Sequence, residues 1–319
     1  MNLRRMRLSV MEKIIYLLVL PFIICLGAFT AAQSGNAVEL PMTFHGRVTA
    51  VEVSINGQGP FLFALDTGAQ GAARIDVSLI RRLGLKPSGS RRESDPSGRN
   101  PQTFETFTLD SLSVGRLEFK KVEALARDFN AAPRAPRMPP AAVPPNAVPE
   151  MPRERPETPK IDGILGFDLF ADYLLTLDYP AKKVIVKKGA LPAANNRDIL
   201  DFDDSRGVAV IEISVGGQKV RAHLDSGNMV GGFVLPTAVV ERCVLASEPV
   251  VAGRARSASG EIEIKQVRLK DSIRFGSFEF VEPTVTYPSL SDANIGSHIL
   301  SQFAVTFDRK NRRVRFEKR

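Results

Sequence analysis

Two short segments of the sequence place a carboxylic acid, a hydroxyl and a glycine in the same order. They are Leu65-Asp66-Thr67-Gly68 and Leu224-Asp225-Ser226-Gly227. The glycine of each segment permits a sharp turn that leaves backbone N–H groups accessible. The hydroxyls of Thr67 and Ser226 can hydrogen-bond locally or from one such loop to the other. Each segment alone is an ordinary turn sequence, so the chemistry depends on whether the two meet.

Two carboxyl groups in contact cannot both ionise cheaply, and they share a proton with one apparent pKa lowered and the other raised. The ionised partner can take a proton from a bound water molecule. The protonated partner can donate to the carbonyl oxygen of a substrate. This chemistry requires no metal or cofactor, and we predict none.

The segments that precede the two aspartates resemble each other over a longer stretch. Val51–Gly68 and Ile211–Gly227 each alternate apolar and polar residues, turn at Asn-Gly or Gly-Gly, and alternate again. This pattern is typical of a β-hairpin. We therefore expect Asp66 and Asp225 at the ends of equivalent strands.

Two further pairs of segments match in the same order along the chain. Ile164–Val186 aligns without a gap with Asn294–Phe316, which pairs Gly166 with Gly296. The third match pairs Asp110–Phe119 with Asp271–Phe280. Three matches in one order predict a duplicated domain.

Short strands with closely spaced turn signals predict an all-β fold. We predict a first lobe over residues 33–195 and a second over 196–319, with the boundary in a polar stretch. The first lobe contains an insertion, 131–159, with ten prolines in 29 residues. Proline cannot donate to a strand ladder, so we expect a flexible or polyproline-like segment. It is interpreted as a solvated loop, with a recognition tail or a processing site as the alternative.

Residues 1–32 have the pattern of an export signal. Arg4, Arg5 and Arg7 precede the apolar run Ile14–Thr30, and small residues follow. We predict an exported protein, periplasmic or extracellular. The alternative is an N-terminal membrane anchor, because the run of about 17 residues reaches the lower limit for a spanning helix. Cys243 is then the one remaining cysteine, which excludes an internal disulfide and favours a bacterial envelope.

The net charge of +8 comes from scattered basic residues, and tryptophan is absent. A nucleic-acid surface requires clustered basic and aromatic residues, so no nucleic-acid partner is predicted. His223 lies two residues before Asp225, so both side chains can face one way. It is interpreted as a strand residue, since no Gly-x-Ser-x-Gly segment supports a serine triad. The acidic stretch Asp201–Ser205 is interpreted as a linker rather than a calcium loop.

The loops Leu65–Ala69 and Leu224–Gly227, with the turns Ile164–Gly166 and Asn294–Gly296, resemble those of the pepsin/retropepsin superfamily of aspartic peptidases. The resemblance implies a bilobal pepsin-like fold, with two pseudo-twofold-related β-barrel-like lobes and a cleft between them. It also implies a set of site residues: the catalytic Asp66 and Asp225, the supporting Thr67, Gly68, Ser226 and Gly227, and the turns under the site at Gly166 and Gly296.

The sequence departs from the family pattern in several places. Ala69 is typical of single-lobe retropepsin-like proteins, Asn228 is unusual at its position, and Asn294 replaces an apolar residue. The expected flap hairpin, roughly Ser88–Leu109, has no tyrosine. The chain therefore resembles two retropepsin-type units fused in one polypeptide.

The sequence predicts an aspartic endopeptidase that acts as a monomer on peptides or proteins. Contact with a membrane is expected only if the N-terminal segment is retained. The alternative is a non-catalytic envelope protein that keeps the fold and binds peptides or proteins.

Overall fold

The computed structural model describes residues 37–45, 48–94, 101–129, 160–228, 231–257, 260–289 and 292–319. The predicted export signal and the proline-rich insertion lie outside these ranges. Ala37–Arg319 forms one compact unit. Within the described ranges, no helix is long and apolar enough to cross a lipid bilayer.

The first half of the chain is built from short strands. In chain order they are β1 (Val38–Pro41), β2 (Thr43–His45), β3 (Val48–Ile55), β4 (Gln58–Asp66), β5 (Ala73–Asp76), β6 (Pro87–Glu93), β7 (Gln102–Val114), β8 (Leu117–Arg127), β9 (Gly163–Gly166), β10 (Leu174–Asp178) and β11 (Lys183–Lys187).

The second half repeats this pattern. Its strands are β12 (Ile199–Asp201), β13 (Val210–Val215), β14 (Gln218–Asp225), β15 (Phe233–Val234), β16 (Val250–Ser257), β17 (Gly260–Arg268), β18 (Ile273–Phe275), β19 (Phe278–Phe280), β20 (Thr284–Tyr287), β21 (Ala293–Gly296), β22 (Ala304–Asp308) and β23 (Arg313–Glu317).

Helical segments are short. They are α1 (Val77–Leu83), a 3₁₀ turn (Phe167–Phe170), α2 (Thr237–Val240) and α3 (Ser297–Leu300). The 3₁₀ turn and α3 follow β9 and β21, at equivalent places of the repeat. The all-β class is confirmed.

Each half contributes one large sheet with the same strand order. The N-terminal sheet runs β6-β7-β8-β5-β9-β4-β3-β2, and the C-terminal sheet runs β16-β17-β20-β15-β21-β14-β13-β18-β19. The first seven positions correspond one to one. The pairings of β4 with β9 and of β14 with β21 are both parallel. The predicted duplication is therefore present in the strand order as well as in the sequence.

A third sheet joins the halves. Its order is β1-β11-β10-β22-β23-β12, with three strands from each half. At its centre β10 and β22 are antiparallel, and Thr176 lies opposite Thr306. Their buried hydroxyls hydrogen-bond at 2.8 Å. Because the repeat aligns these two threonines, the pseudo-twofold axis passes between them.

The core consists of aliphatic side chains from the inner faces of the sheets, with aromatic contacts in both halves. In the first half the ring of Phe119 packs against Tyr173, with 5.7 Å between centroids. In the second half Phe278 packs against Phe303 at 4.9 Å. Tyr173 and Phe303 are equivalent in the repeat, whereas their partners are not, because Phe119 aligns with Phe280 rather than with Phe278.

Candidate active site

Asp66 and Asp225 lie at the ends of two β-hairpins. The turn between β3 and β4 has positive φ at Asn56 (51°) and Gly57 (76°), and the turn between β13 and β14 has it at Gly216 (54°) and Gly217 (80°). Two successive residues with positive φ form the turn whose twist matches that of a hairpin. The Asn-Gly and Gly-Gly signals therefore fix both registers. β4 and β14 end at Asp66 and Asp225.

A parallel strand runs beside each aspartate and turns under it. Asp66 lies opposite Gly166, and Asp225 lies opposite Gly296. A Cβ atom on Gly166 would collide with the carbonyl oxygen of Gly71, and one on Gly296 with that of Gly231. A side chain at either position would push the turn away from the aspartate. Steric exclusion therefore explains why glycine is present at both positions.

The hydroxyls of Thr67 and Ser226 interlock the two loops. Thr67 Oγ1 donates to the carbonyl of Leu224 at 2.9 Å and accepts from the Ser226 N–H at 3.0 Å. Ser226 Oγ donates to the carbonyl of Leu65 at 2.9 Å and accepts from the Thr67 N–H at 3.0 Å. Both residues are 1% exposed, so this reciprocal set holds the loops together away from water.

The interlocked loops bring the two carboxyl groups into contact. They are close enough for the negative charge of Asp225 to raise the pKa of Asp66. A Cβ atom on Gly68 would lie 2.5 Å from Cγ of Asp225, and one on Gly227 would approach Cγ of Asp66 just as closely. Each loop glycine thus makes room for the carboxyl group of the opposite half.

The environment of Asp66 favours the protonated acid. Burial, followed by the negative charge of Asp225, raises the pKa of Asp66 from 3.8 to about 7. The Gly68 N–H, which donates to Oδ1 at 2.8 Å, and the charge of Arg74 oppose this shift. Below neutral pH, Asp66 is therefore the member of the pair that carries the shared proton.

The environment of Asp225 favours the ionised form. Burial works against the charge, but the hydrogen bond and charge of His223 and the Asn294 amide outweigh it and lower the pKa of Asp225. His223 Nε2 lies 3.2 Å from Oδ2, and Asn294 Nδ2 donates to the same oxygen at 2.6 Å. The N–H groups of Gly227 and Asn228 donate to Oδ1, both at 3.0 Å. The Asp225 side chain is 17% exposed and so remains accessible to water.

The structure brings the eight predicted site residues together around one point, and it adds His223, which the sequence analysis interpreted as a strand residue. His223 lies on the same face of β14 as Asp225, and this i, i+2 spacing was the available signal. Asn294, noted only as a poor fit to the under-site turn, lies beside it on β21. Ser226 Oγ donates its hydrogen bond to the carbonyl of Leu65, so it is not arranged as the nucleophile of a serine triad.

The predicted flap hairpin is formed by β6 and β7. Its Arg91 reaches the loop that follows Asp66, where Nη1 would lie 3.0 Å from a Cβ atom on Gly71. The strands β16 and β17 form a hairpin at the equivalent place of the C-terminal sheet. Two flap-like hairpins agree with the interpretation of the chain as two similar units.

Among the described residues, no group of three or more His, Cys, Asp or Glu side chains is arranged to hold a metal ion. The predicted linker residue Asp203 instead accepts from Arg221 at 2.8 Å.

Comparison with known proteins identifies one family. The sequence model of a family described as aspartyl protease matches residues 51–169 and 211–299. The two matched regions contain the two interlocked loops. No curated protein matches the chain.

Proposed function

The chain belongs to the aspartyl protease family, and from this premise we propose that it is an endopeptidase whose catalytic groups are Asp66 and Asp225. Membership in the family supports aspartic protease activity in general. The observation that supports the finer assignment is the close approach of the two carboxyl groups, each of which lies against the loop glycine of the opposite half.

In the first proposed step, a water molecule bound between the carboxyl groups attacks the carbonyl carbon of the peptide. Asp225, as the carboxylate, takes a proton from this water. Asp66, as the acid, gives its proton to the carbonyl oxygen. The product is a neutral tetrahedral gem-diol, in which the new C–O bond replaces the carbonyl π bond.

In the second step the C–N bond breaks. The proton on Asp225 passes to the leaving nitrogen, and Asp66 takes back a proton from a hydroxyl as the carbonyl reforms. The pair returns to its starting state with one shared proton. Aspartic proteases are the standard example of two carboxyl groups that share a proton in this way.

The remaining site residues keep the pair in place. The buried hydrogen bonds of Thr67 and Ser226 fix the separation of the loops. The N–H groups of Gly68 and Gly227 hold one oxygen of each carboxyl group in the site. These contacts leave the accessible faces of the carboxyl groups to water and substrate.

The decisive experiment replaces each aspartate by asparagine, which keeps the shape but cannot exchange the proton. We expect Asp66→Asn and Asp225→Asn to lower hydrolysis of labelled unfolded casein by at least about 10³-fold. The double variant should be no worse than either single one, because the pair works as a unit. Asp110→Asn, on an exposed residue paired with Lys121, is the matched control and should keep full activity.

Circular dichroism and thermal unfolding would establish that the variants fold. Full activity in folded Asp66→Asn would contradict the proposal. A wild-type protein that binds casein peptides, but cleaves none at any pH between 3 and 8, would favour the non-catalytic binding protein.

A further inference from the structure

The surroundings of the two aspartates differ at three equivalent positions. In the repeat, Ala64 corresponds to His223, Ala69 to Asn228, and Ile164 to Asn294. All three positions are apolar around Asp66 and polar around Asp225. The backbone frames are otherwise the same, since both aspartates lie opposite a glycine of a parallel strand.

The three polar residues form a connected network that ends on Asp225. Asn228 Nδ2 donates to Asn294 Oδ1 at 2.8 Å, which turns the Nδ2 group of Asn294 toward Asp225. Asn294 Nδ2 then donates to Asp225 Oδ2 at 2.6 Å and contacts His223 Nε2 at the same distance. Side chains from two strands therefore converge on one carboxylate oxygen.

The ring of His223 joins this network through Nε2. Nδ1 is buried and has no hydrogen-bond partner among the described residues. Nε2 is therefore the ring nitrogen that takes part in the network, and it contacts Asp225 Oδ2 at 3.2 Å and Asn294 Nδ2 at 2.6 Å. His223 is 16% exposed at its side chain, and the contact is therefore only partly open to solvent.

Among the residues that the structure describes, few titratable groups lie around Asp225. They are His223 on its own strand, Asp66 from the opposite loop, and Tyr179, whose burial raises its pKa and keeps it neutral. Arg221, on the same face of β14, is engaged by Asp203 and Asp292. The neighbouring strand β21 faces Asp225 with the uncharged Asn294. The network therefore supplies the contacts that distinguish Asp225 from Asp66.

We propose that His223, Asn294 and Asn228 are positioning residues that hold Asp225 as the ionised member of the pair and thereby fix the direction of proton transfer. This inference rests on the proposed function of the two aspartates. In this arrangement Asp225 always acts first as the base and Asp66 as the acid, although the loops that carry them are nearly symmetric.

The test gives the second half the residues of the first. His223→Ala and Asn294→Ile introduce the side chains of Ala64 and Ile164. In each variant, the acid limb of the pH profile of kcat/KM should move up by about 1 pH unit. The substrate is a quenched fluorescent peptide, selected from a peptide library as one that the wild-type protein cleaves. His223→Gln keeps an N–H donor near Nε2 and should restore most of the wild-type profile. Arg221→Gln is the control, and its acid limb should not move.

A purely structural role would give a different result. It would lower kcat/KM equally at every pH, and an unmoved acid limb in both His223→Ala and Asn294→Ile would overturn the proposal. The ¹³C titration of the Asp225 carboxyl, assigned with Asp225→Asn, provides a readout without substrate. The midpoint should rise in His223→Ala, and an unchanged midpoint would also overturn the proposal. If the midpoint rises but no peptide is cleaved in an Asp66-dependent manner, the proposed function fails and the positioning contact stands.

Discussion

At the scale of single residues, the two loop glycines are as constrained as the aspartates that they face. Gly68 and Gly227 do not lie at positive φ. Their requirement comes from the opposite half, because a Cβ atom would enter the space of the partner carboxyl group. The glycine of the sequence pattern therefore serves the contact between halves as well as its own turn.

We expect Gly68→Ala to separate the carboxyl groups and to lower kcat/KM by about 100-fold or more, since a displacement of about 1 Å at reacting groups has that effect. Gly253→Ala is the control, because a Cβ atom there meets nothing within 4 Å. Peptide hydrolysis and thermal unfolding of both variants check the expectation. Equal activity in the two variants would contradict it.

The opposite environments of Asp66 and Asp225 predict a bell-shaped pH profile that extends to neutral pH. The acid Asp66 must be protonated, so activity falls as pH rises through its pKa of about 7. The base Asp225 must be ionised, so activity falls only as pH drops below 3.8, its ordinary value, from which it is lowered. The pH dependence of kcat/KM measures both limits. A basic limb near pH 5 would contradict the assignment.

At the scale of elements, local chemistry determined what could be predicted. The hairpins that end at Asp66 and Asp225 follow from Asn56-Gly57 and Gly216-Gly217, because turn residues act over a few positions. The contact of Asn294 with His223 joins residues 71 apart, and nothing near either residue encodes it. The duplication places both on neighbouring strands, but only the structure shows that their side chains converge on Asp225.

The pairing of β10 with β22 at the centre of the third sheet could likewise not be predicted from local sequence, although Thr176 and Thr306 align in the repeat. We expect Thr176→Val to lower the free energy of unfolding by about 1–2 kcal/mol, because the buried hydroxyl of Thr306 loses its partner. The double variant Thr176→Val/Thr306→Val should cost less than the sum of the single ones. Urea unfolding measures all three. Additive losses would show that the hydroxyl pair does not couple the strands.

At the scale of the whole molecule, neither half completes the fold alone. The central sheet takes three strands from each half, and all five residues of β10 are buried in it. The sequence predicted two repeated lobes, and their exact boundaries, the export signal and the proline-rich insertion stay predictions. The shared sheet could not be predicted, because it depends on pairing between segments more than 100 residues apart.

A chain of residues 33–195 alone should therefore self-associate. Without β22, the apolar strand β10 becomes an unpaired edge, and such edges pair with other chains. Size-exclusion chromatography with light scattering should show dimers or larger species, while the full chain runs as a monomer. A stable monomer of the truncated chain would contradict this expectation.

The unequal neighbours of the two aspartates also bear on how such a chain can change over generations. In an assembly of two identical polypeptides, one codon specifies both copies of every position. A histidine beside one aspartate would then stand beside the other as well. Here Ala64 and His223 are separate codons, as are Ile164 and Asn294. Because the two halves are joined in one gene, the residues around Asp66 and those around Asp225 can mutate independently. Only then can one aspartate acquire surroundings that suit an acid and the other surroundings that suit a base.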